Sequence, residues 1–381
     1  MKIFLVVPYA DPEKGAAIVR VNSFRDYFQS QSHSVQVIAP LRKGLESAQT
    51  IFRYKNILQL IKFLLSNNFD VLLATSPPIV HAFFSLLICK LKRKPFVLDS
   101  KDLFTHTAIK LGLLKKGSLK FYIYRFMEIV THKWARHILV LDPTLGDRIS
   151  QLYSVQPEKI TAAYNGVDVR IVRKDAVAGK KIREQLNISA NAGLIIYLGG
   201  LGDERYIDFL QETGNIIKKY NAYILFVIAS DESLIAGQRL NEIYACIEQL
   251  ELKKNFILLK NIPHPEVYKY LSAADIGVDF WPDFEYFAVS VKVLEYMACE
   301  LSVMIKIPKR NKSYKDFFEK YAVGAALTEW SDFKIHLDAA LMNLPSFKEQ
   351  GVKGAEIIKE NFTRDVTSKK VLKILENLQK K

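Results

Sequence analysis

GLIIYLGGLGDERY, Gly193 to Tyr206, is the stretch on which the fold turns. An apolar run with no polar alternation passes into Gly199, Gly200 and Gly202, and Arg205 stands where a helix begins. A strand that is apolar on both faces belongs to a sheet covered on both faces, which is the setting of parallel strands. Glycines after such a strand let the backbone approach a ligand closely.

Working outward, the same alternation of strand and helix runs in both directions. Upstream lie KIFLVVPYA, a helix around Arg20 to Ser30, SVQVIAP, DVLLATS, a helix over Ile79 to Leu91, PFVLDS and HILVLD. Downstream lie a helix around Ile207 to Tyr220, AYILFVIAS, a helix around Leu240 to Leu250, NFILLKNI, DIGVDFW and LSVMIKI. Two such series in one chain of 381 residues predict an α/β protein of two tandem Rossmann-like doubly wound domains. Between the series, YNGVD (Tyr164 to Asp168) carries an Asn-Gly turn, so Asn165 and Asp168 are assigned to an interdomain loop. The expected divisions are 1–170, 171–360 and a C-terminal helix over 361–381 that returns towards the N-terminal domain.

The net charge of +14 is lopsided: residues 1–170 hold 24 Lys and Arg against 12 Asp and Glu, and the remainder is nearly balanced. A positive first domain suits phosphorylated ligands or anionic lipid. With no zinc finger, RNP motif or arginine-rich tail, nucleic acid is not expected as a partner. Cys89, Cys246 and Cys299 are odd in number and sit in apolar runs, which predicts buried thiols in a reducing compartment rather than disulfides or a metal site. The longest apolar stretch falls short of the roughly 20 residues that span a bilayer. The expected location is therefore cytoplasmic, with peripheral contact to the inner face of a membrane. LKKGSLKFYIYRFMEIVTHKWARH, which interleaves basic and aromatic residues, is the segment that would make that contact.

Helix N-termini at the carboxyl ends of parallel strands offer free N–H groups and a positive dipole end, so anion-binding residues are sought there. Four positions carry candidates. Gly15 lies in the loop after the first strand. Gly199, Gly200 and Arg205 follow the strand quoted above, where the guanidinium can reach a diphosphate. Ser290, Lys292 and Glu295 open a helix in EYFAVSVKVLEYMACELSVMI, with the lysine and glutamate three apart on one face. Lys101, Asp102 and His106 cluster with Asp99 at the end of PFVLDSKDLFTH. Each admits a plainer reading: a connecting loop, a packing loop, an exposed salt bridge, a solvated charge cluster.

Taken in order, these motifs resemble the retaining nucleotide-sugar glycosyltransferases of the GT-B fold, glycosyltransferase family 4, and within it the bacterial enzymes of cell-surface polysaccharides. PFVLDSKDLF is similar to that group's DVRDLW segment, KITAAYNGVD to ITVIPNGVD, and VKVLEYMA to SPLKLFEYMA. The resemblance implies that Glu295 holds the donor ribose, that Arg205 and Lys292 meet the diphosphate, and that Lys101, with Asp102 after it, lies where the family has a catalytic-site histidine. It implies a nucleotide-sugar donor, UDP-sugar favoured, and a saccharide or polyprenyl-diphosphate-linked acceptor. No metal and no cofactor are expected, cations and helix dipoles doing that work.

Departures from the family pattern sit in the same loops. The first glutamate of E-x7-E is Phe287, which hands sugar contact to Tyr286 or to backbone N–H groups. Gly200 replaces an arginine beside the phosphate site, the Gly-x-Gly-Pro loop has become Ile228-Ala-Ser-Asp-Glu, and the Gly-x-Pro-Val turn reads Glu300-Leu-Ser-Val. Two alternatives therefore stand beside an active hexosyltransferase: a weakened homologue that binds a glycan or partner, and a sugar-nucleotide epimerase.

Overall fold

The computed structural model describes residues 1–13, 15–42, 51–200, 205–228, 234–281 and 288–380. The chain divides into two compact units, Met1–Gly166 with Arg364–Lys381, and Val167–Thr363. The first division thus falls at Gly166, not at 170, and the second at Thr363, where expectation put it at 360.

Unit 1 runs β1 (Lys2–Val6), α1 (Ala16–Ser30), β2 (Ser34–Pro40), β3 (Ile51–Tyr54), α2 (Ile57–Ser66), β4 (Val71–Ser76), α3 (Ile79–Leu91), β5 (Phe96–Ser100), α4 (Phe104–Lys110), α5 (Leu119–Trp134), β6 (His137–Val140), α6 (Pro143–Tyr153) and β7 (Ile160–Ala162). Its strands form one parallel sheet in the order β3-β2-β1-β4-β5-β6-β7. β1 shows why these strands read as unbroken apolar runs. Ile3 and Leu5 pack in a core with Phe24 and Phe28 of α1, while Phe4, on the opposite face, meets Phe63 and Phe69.

Unit 2 holds α7 (Ala176–Gln185), β8 (Leu194–Leu198), α8 (Arg205–Tyr220), β9 (Tyr223–Ile228), α9 (Leu234–Gln249), β10 (Phe256–Lys260), α10 (Val267–Ala273), β11 (Ile276–Phe280), α11 (Val291–Ala298), β12 (Ser302–Lys306), α12 (Lys312–Tyr321), β13 (Gly324–Leu327), α13 (Trp330–Met342) and α14 (Leu344–Asn361). The sheet order is β10-β9-β8-β11-β12-β13, again parallel throughout. Phe209 of α8 lies fully buried among Phe280 and Phe333. Truncating it to alanine is worth about 3–5 kcal/mol on the scale of such core deletions.

The last helix, α15 (Arg364–Gln379), belongs to unit 1: Val371, Leu372 and Leu375 join its core, and the Ser368 hydroxyl donates to the Ser23 carbonyl at 3.3 Å. The two chain passages from unit to unit are tied together, Val167 N–H donating to Phe362 O at 2.8 Å beside a Val167–Thr363 bridge. In each sheet the strand order reverses between two neighbours, β1 and β4 in unit 1, β8 and β11 in unit 2. The carboxyl ends of such strands, at the point of reversal, are where open α/β sheets place ligands.

Candidate active site

In unit 2 the reversal point gathers residues that are far apart in sequence. β8 ends at Leu198, and Gly199 follows with φ of 148°, a conformation L side chains rarely adopt. A Cβ on Gly199 would fall 2.8 Å from the Tyr197 hydroxyl and 3.0 Å from the Lys292 ammonium nitrogen. The glycine loop and the lysine of the EYFAVSVKVLEYMA stretch therefore meet, and only a glycine leaves them room. Lys292 also lies over the Tyr197 ring, 4.7 Å from its centroid.

α11 is set in place by its own sequence. The Ser290 hydroxyl caps it, accepting from Val293 N–H at 3.4 Å, and the Tyr296 hydroxyl donates to Val278 O at 3.2 Å while accepting from Leu198 N–H at 2.8 Å. Gly277 makes space for that ring, since a Cβ there would stand 2.5 Å from Tyr296 Cδ2. Lys292 on the first turn and Glu295 on the next consequently sit at the carboxyl edge of β8 and β11. The Glu295 carboxylate is 4% exposed and accepts from His264 Nε2 at 2.7 Å. Arg205, at the start of α8, donates to the Phe280 carbonyl at the end of β11.

The Lys292 and Glu295 side chains do not pair with each other as an i,i+3 bridge would. Lys292 instead meets Asp279 Oδ1 at 3.0 Å, and Asp279 is the polar residue at the end of an apolar strand. Sequence reading passed over Asp279 and Tyr197. The signal for Asp279 was present in DIGVDFW: a carboxylate with no reason to be buried unless it is paired.

In unit 1, Gly15 opens α1 with φ of 127°, where its backbone carbonyl accepts from Ile18 and Val19. Arg20, one turn further, makes a bidentate pair with Asp99, Nη2 to Oδ1 at 2.8 Å and Nε to Oδ2 at 3.2 Å, both side chains 1% exposed. Its remaining nitrogen donates to the Ala163 and Tyr164 carbonyls at 2.8 and 3.0 Å. Burial pushes the Asp99 carboxyl up, but Arg20 and Lys101 beside it bring it below the usual carboxylate range. Asp99 is thus a structural anion that joins β5 to α1.

Lys101 follows that strand. Burial pulls its ammonium down to about 8, with Asp99 opposing and Arg20 adding to the effect. Asp102 holds the chain at the start of α4: one oxygen accepts from Leu103 N–H at 2.7 Å and the other from the Thr107 hydroxyl at 2.5 Å. Burial raises its pKa, against those bonds and the nearby His106. Lys101 and Asp102 follow β5 directly, and His106 stands in α4. His81 and His132 are different: each is buried, driven down to about 4 by burial, and hydrogen-bonded to a main-chain oxygen.

The reversal point of unit 1 opens a cleft of about 520 Å³, lined by residues that include Pro8, Tyr9, Arg42, Tyr54, Pro77 and His81. It is floored by prolines and tyrosine rings, with the Arg42 guanidinium 4.1 Å from the centre of the Tyr9 ring. Asn165 and Asp168 flank the division between the units, Asp168 accepting from the Arg170 guanidinium at 2.8 and 2.9 Å. Tyr286, Phe287, Gly202 and the segment 229–232 lie outside the described residues. Among the described residues, no group of three His, Cys, Asp or Glu is placed to hold a metal.

Two family profiles cover most of the chain: Glycosyltransferase Family 4 over residues 18–170 and Glycosyl transferases group 1 over residues 179–325. The chain belongs to the family 4-type glycosyltransferases of the GT-B fold. HepE from Anabaena, solved in complex with UDP, superposes with a TM-score of 0.70 at 13% identity, over 99% of this chain and 100% of that one. Sucrose-phosphate synthase from Thermosynechococcus elongatus gives 0.71 at 13% identity, over 99% of both chains. WaaG, a glycosyltransferase involved in lipopolysaccharide biosynthesis, gives 0.67 at 13% identity, over 98% of this glycosyltransferase and 99% of that one. At such identities the likeness carries the fold. No curated protein matches the sequence.

Proposed function

We propose that this glycosyltransferase moves a hexose from a nucleoside-diphosphate sugar, UDP-sugar favoured, to a saccharide or polyprenyl-diphosphate-linked acceptor, with retention at the anomeric carbon. The observation that carries the donor half is the convergence of Gly199, Lys292 and Glu295 at the reversal point of the unit 2 sheet. Glu295, with one oxygen held by His264, presents the other to the ribose hydroxyls. Lys292, Arg205 and the first turn of α11 supply positive charge to the departing diphosphate, without a metal. HepE, solved with UDP and with UDP-glucose, supports the choice of donor.

On the acceptor side, the proposal places Lys101 and His106 next to the reacting hydroxyl, with Asp102 fixing the start of α4 between them. The cleft along Tyr9 and Tyr54 fits the apolar faces of a saccharide. WaaG acts in lipopolysaccharide biosynthesis, which supports a cell-surface glycan as the product. Peripheral contact with an anionic membrane rests on α5. Leu119, Tyr122, Ile123 and Phe126 form an exposed apolar stripe at helical spacing, and Lys115, Lys116, Lys120, Lys133 and Arg136 stand exposed around it. Among the described residues, no helix is long and apolar enough to cross a membrane.

The test is transfer of label from a panel of UDP- and GDP-sugars into lipid-extractable and polymeric glycan, with Glu295→Ala as control. Donor-dependent labelling that the variant lacks supports the reading. Labelling that the variant retains in full contradicts it.

A further inference from the structure

We infer that Asp279 is a specificity-determining residue of the donor site: it masks the charge of Lys292, so that the site discriminates against the free nucleoside diphosphate in favour of the intact sugar donor. The inference rests on the donor reading above and concerns the affinity of that same site.

Asp279 is nearly inaccessible, at 2% exposure, and it is fixed. Oδ1 accepts from its neighbour Phe280 N–H at 2.9 Å, and Oδ2 from Trp281 Nε1 at 3.0 Å and the Ser290 hydroxyl at 3.4 Å. Those three donors belong to β11, the residue after it and the cap of α11, none of which can leave without disturbing the sheet edge. Lys292 contributes the fourth contact at 3.0 Å, and it is the partner that keeps access to solvent, at 24% exposure.

A diphosphate approaching along Gly199 therefore meets an ion pair rather than a lone ammonium. The attraction of the lysine and the repulsion of the aspartate largely cancel at the next contact distance. At the effective dielectric of a partly buried site, a single unmatched charge some 5 Å away is worth an order of magnitude or more in affinity. Close by, Gly199 and Gly200 offer no side-chain charge. A ligand held chiefly by its phosphates loses most from such cancellation. A nucleotide sugar shares its ribose with the free nucleoside diphosphate but carries less negative charge on its esterified diphosphate, and so loses less.

An ion pair that serves packing alone would sit anywhere in the core. This one sits at the sheet reversal, touching the glycine whose φ and missing Cβ leave the lysine its place. Asp279 is also the partner that removes net charge, where a hydroxyl or amide would orient the lysine equally well.

The experiment is calorimetric titration of the full chain with UDP and with UDP-glucose, at about 50 mM and about 500 mM salt. The proteins are the wild type, Asp279→Asn, and Asp279→Asn combined with Lys292→Met. Masking requires Asp279→Asn to bind UDP about tenfold more tightly at low salt and UDP-glucose by a smaller factor, both gains shrinking at high salt. The double variant, neutral like the wild-type pair, should return to within about threefold of it. If Asp279→Asn fails to fold, Asp279→Ser removes the same charge and is held to the same result. Unchanged or weaker UDP binding by the charge-removed variant, or an equal gain for UDP and UDP-glucose, overturns the inference while leaving the donor reading standing, provided the wild type binds UDP. Absence of UDP binding by every protein overturns both.

Discussion

His264 Nε2 lies 2.7 Å from Glu295 Oε1, a contact between the turn after β10 and the second turn of α11. His264 is half exposed, whereas Glu295 is almost wholly covered. The imidazole thereby fixes one oxygen of the carboxylate. His264→Gln, whose amide can still donate, is expected to raise the donor KM by about threefold, and His264→Ala by about ten- to thirtyfold, with kcat nearly unchanged. Steady-state kinetics over a donor series checks this. A fall in kcat at constant KM would show that the histidine acts on the chemistry instead.

Lys101 makes a pH-dependent prediction. Its folded pKa of about 8 lies below the ordinary 10.5. Between those values the folded protein holds fewer protons than the unfolded chain, so the group's destabilising contribution is complete below pH 8 and is relieved as the pH climbs to 10.5. Lys101→Met should therefore stabilise the protein at pH 7 by about 2 kcal/mol, and by much less at pH 10. Urea unfolding at the two pH values measures the difference. An equal gain at both would assign it to packing.

Glu300 occupies the turn between α11 and β12 with φ of 61°, the left-handed region where a side chain is uncomfortable. Its carbonyl lies against Gly351 of α14, where a Cβ would come within 2.0 Å, so the turn cannot relax in that direction. Glu300→Gly is expected to raise the unfolding free energy by about 1 kcal/mol, read as a higher denaturant midpoint with an unchanged slope. Transfer activity should stay as it was, because Glu300 is past the turns of α11 that carry Lys292 and Glu295.

The α5 stripe predicts membrane behaviour. Vesicles of about 30% anionic lipid should sediment the wild-type protein at low salt, and a variant with Leu119, Tyr122 and Phe126 changed to serine should lose most of that binding. Equal sedimentation with neutral vesicles would deny the electrostatic part, and equal sedimentation of the variant would deny the docking face.

The strands and helices that were legible in the sequence are the long, doubly covered ones. SVQVIAP is β2 without adjustment and Ile79 to Leu91 is α3, because a continuous apolar run or a long apolar helix leaves few alternatives. The short edge strands IFRY and GAAL were missed: four residues paired on one side leave little pattern. Lys292 and Glu295 were singled out by the resemblance of VKVLEYMA to the family motif, spacing alone favouring a plain salt bridge, and their partners could not be read at all. Asp279 and His264 reach them only through tertiary contact, and the reading of Asp99 as one of a titratable cluster failed to foresee that Arg20 neutralises it. All three cysteines are buried and free, as their apolar settings suggested.

The most direct test of the donor site is calorimetry of the purified protein against UDP, GDP and their sugars, repeated with Glu295→Gln. The account predicts that at least one nucleotide sugar binds the wild type, and that the variant loses about ten- to a hundredfold in affinity while its thermal unfolding midpoint stays within a few degrees. Equal binding by wild type and variant, or no binding of any nucleotide by the wild type, would contradict it.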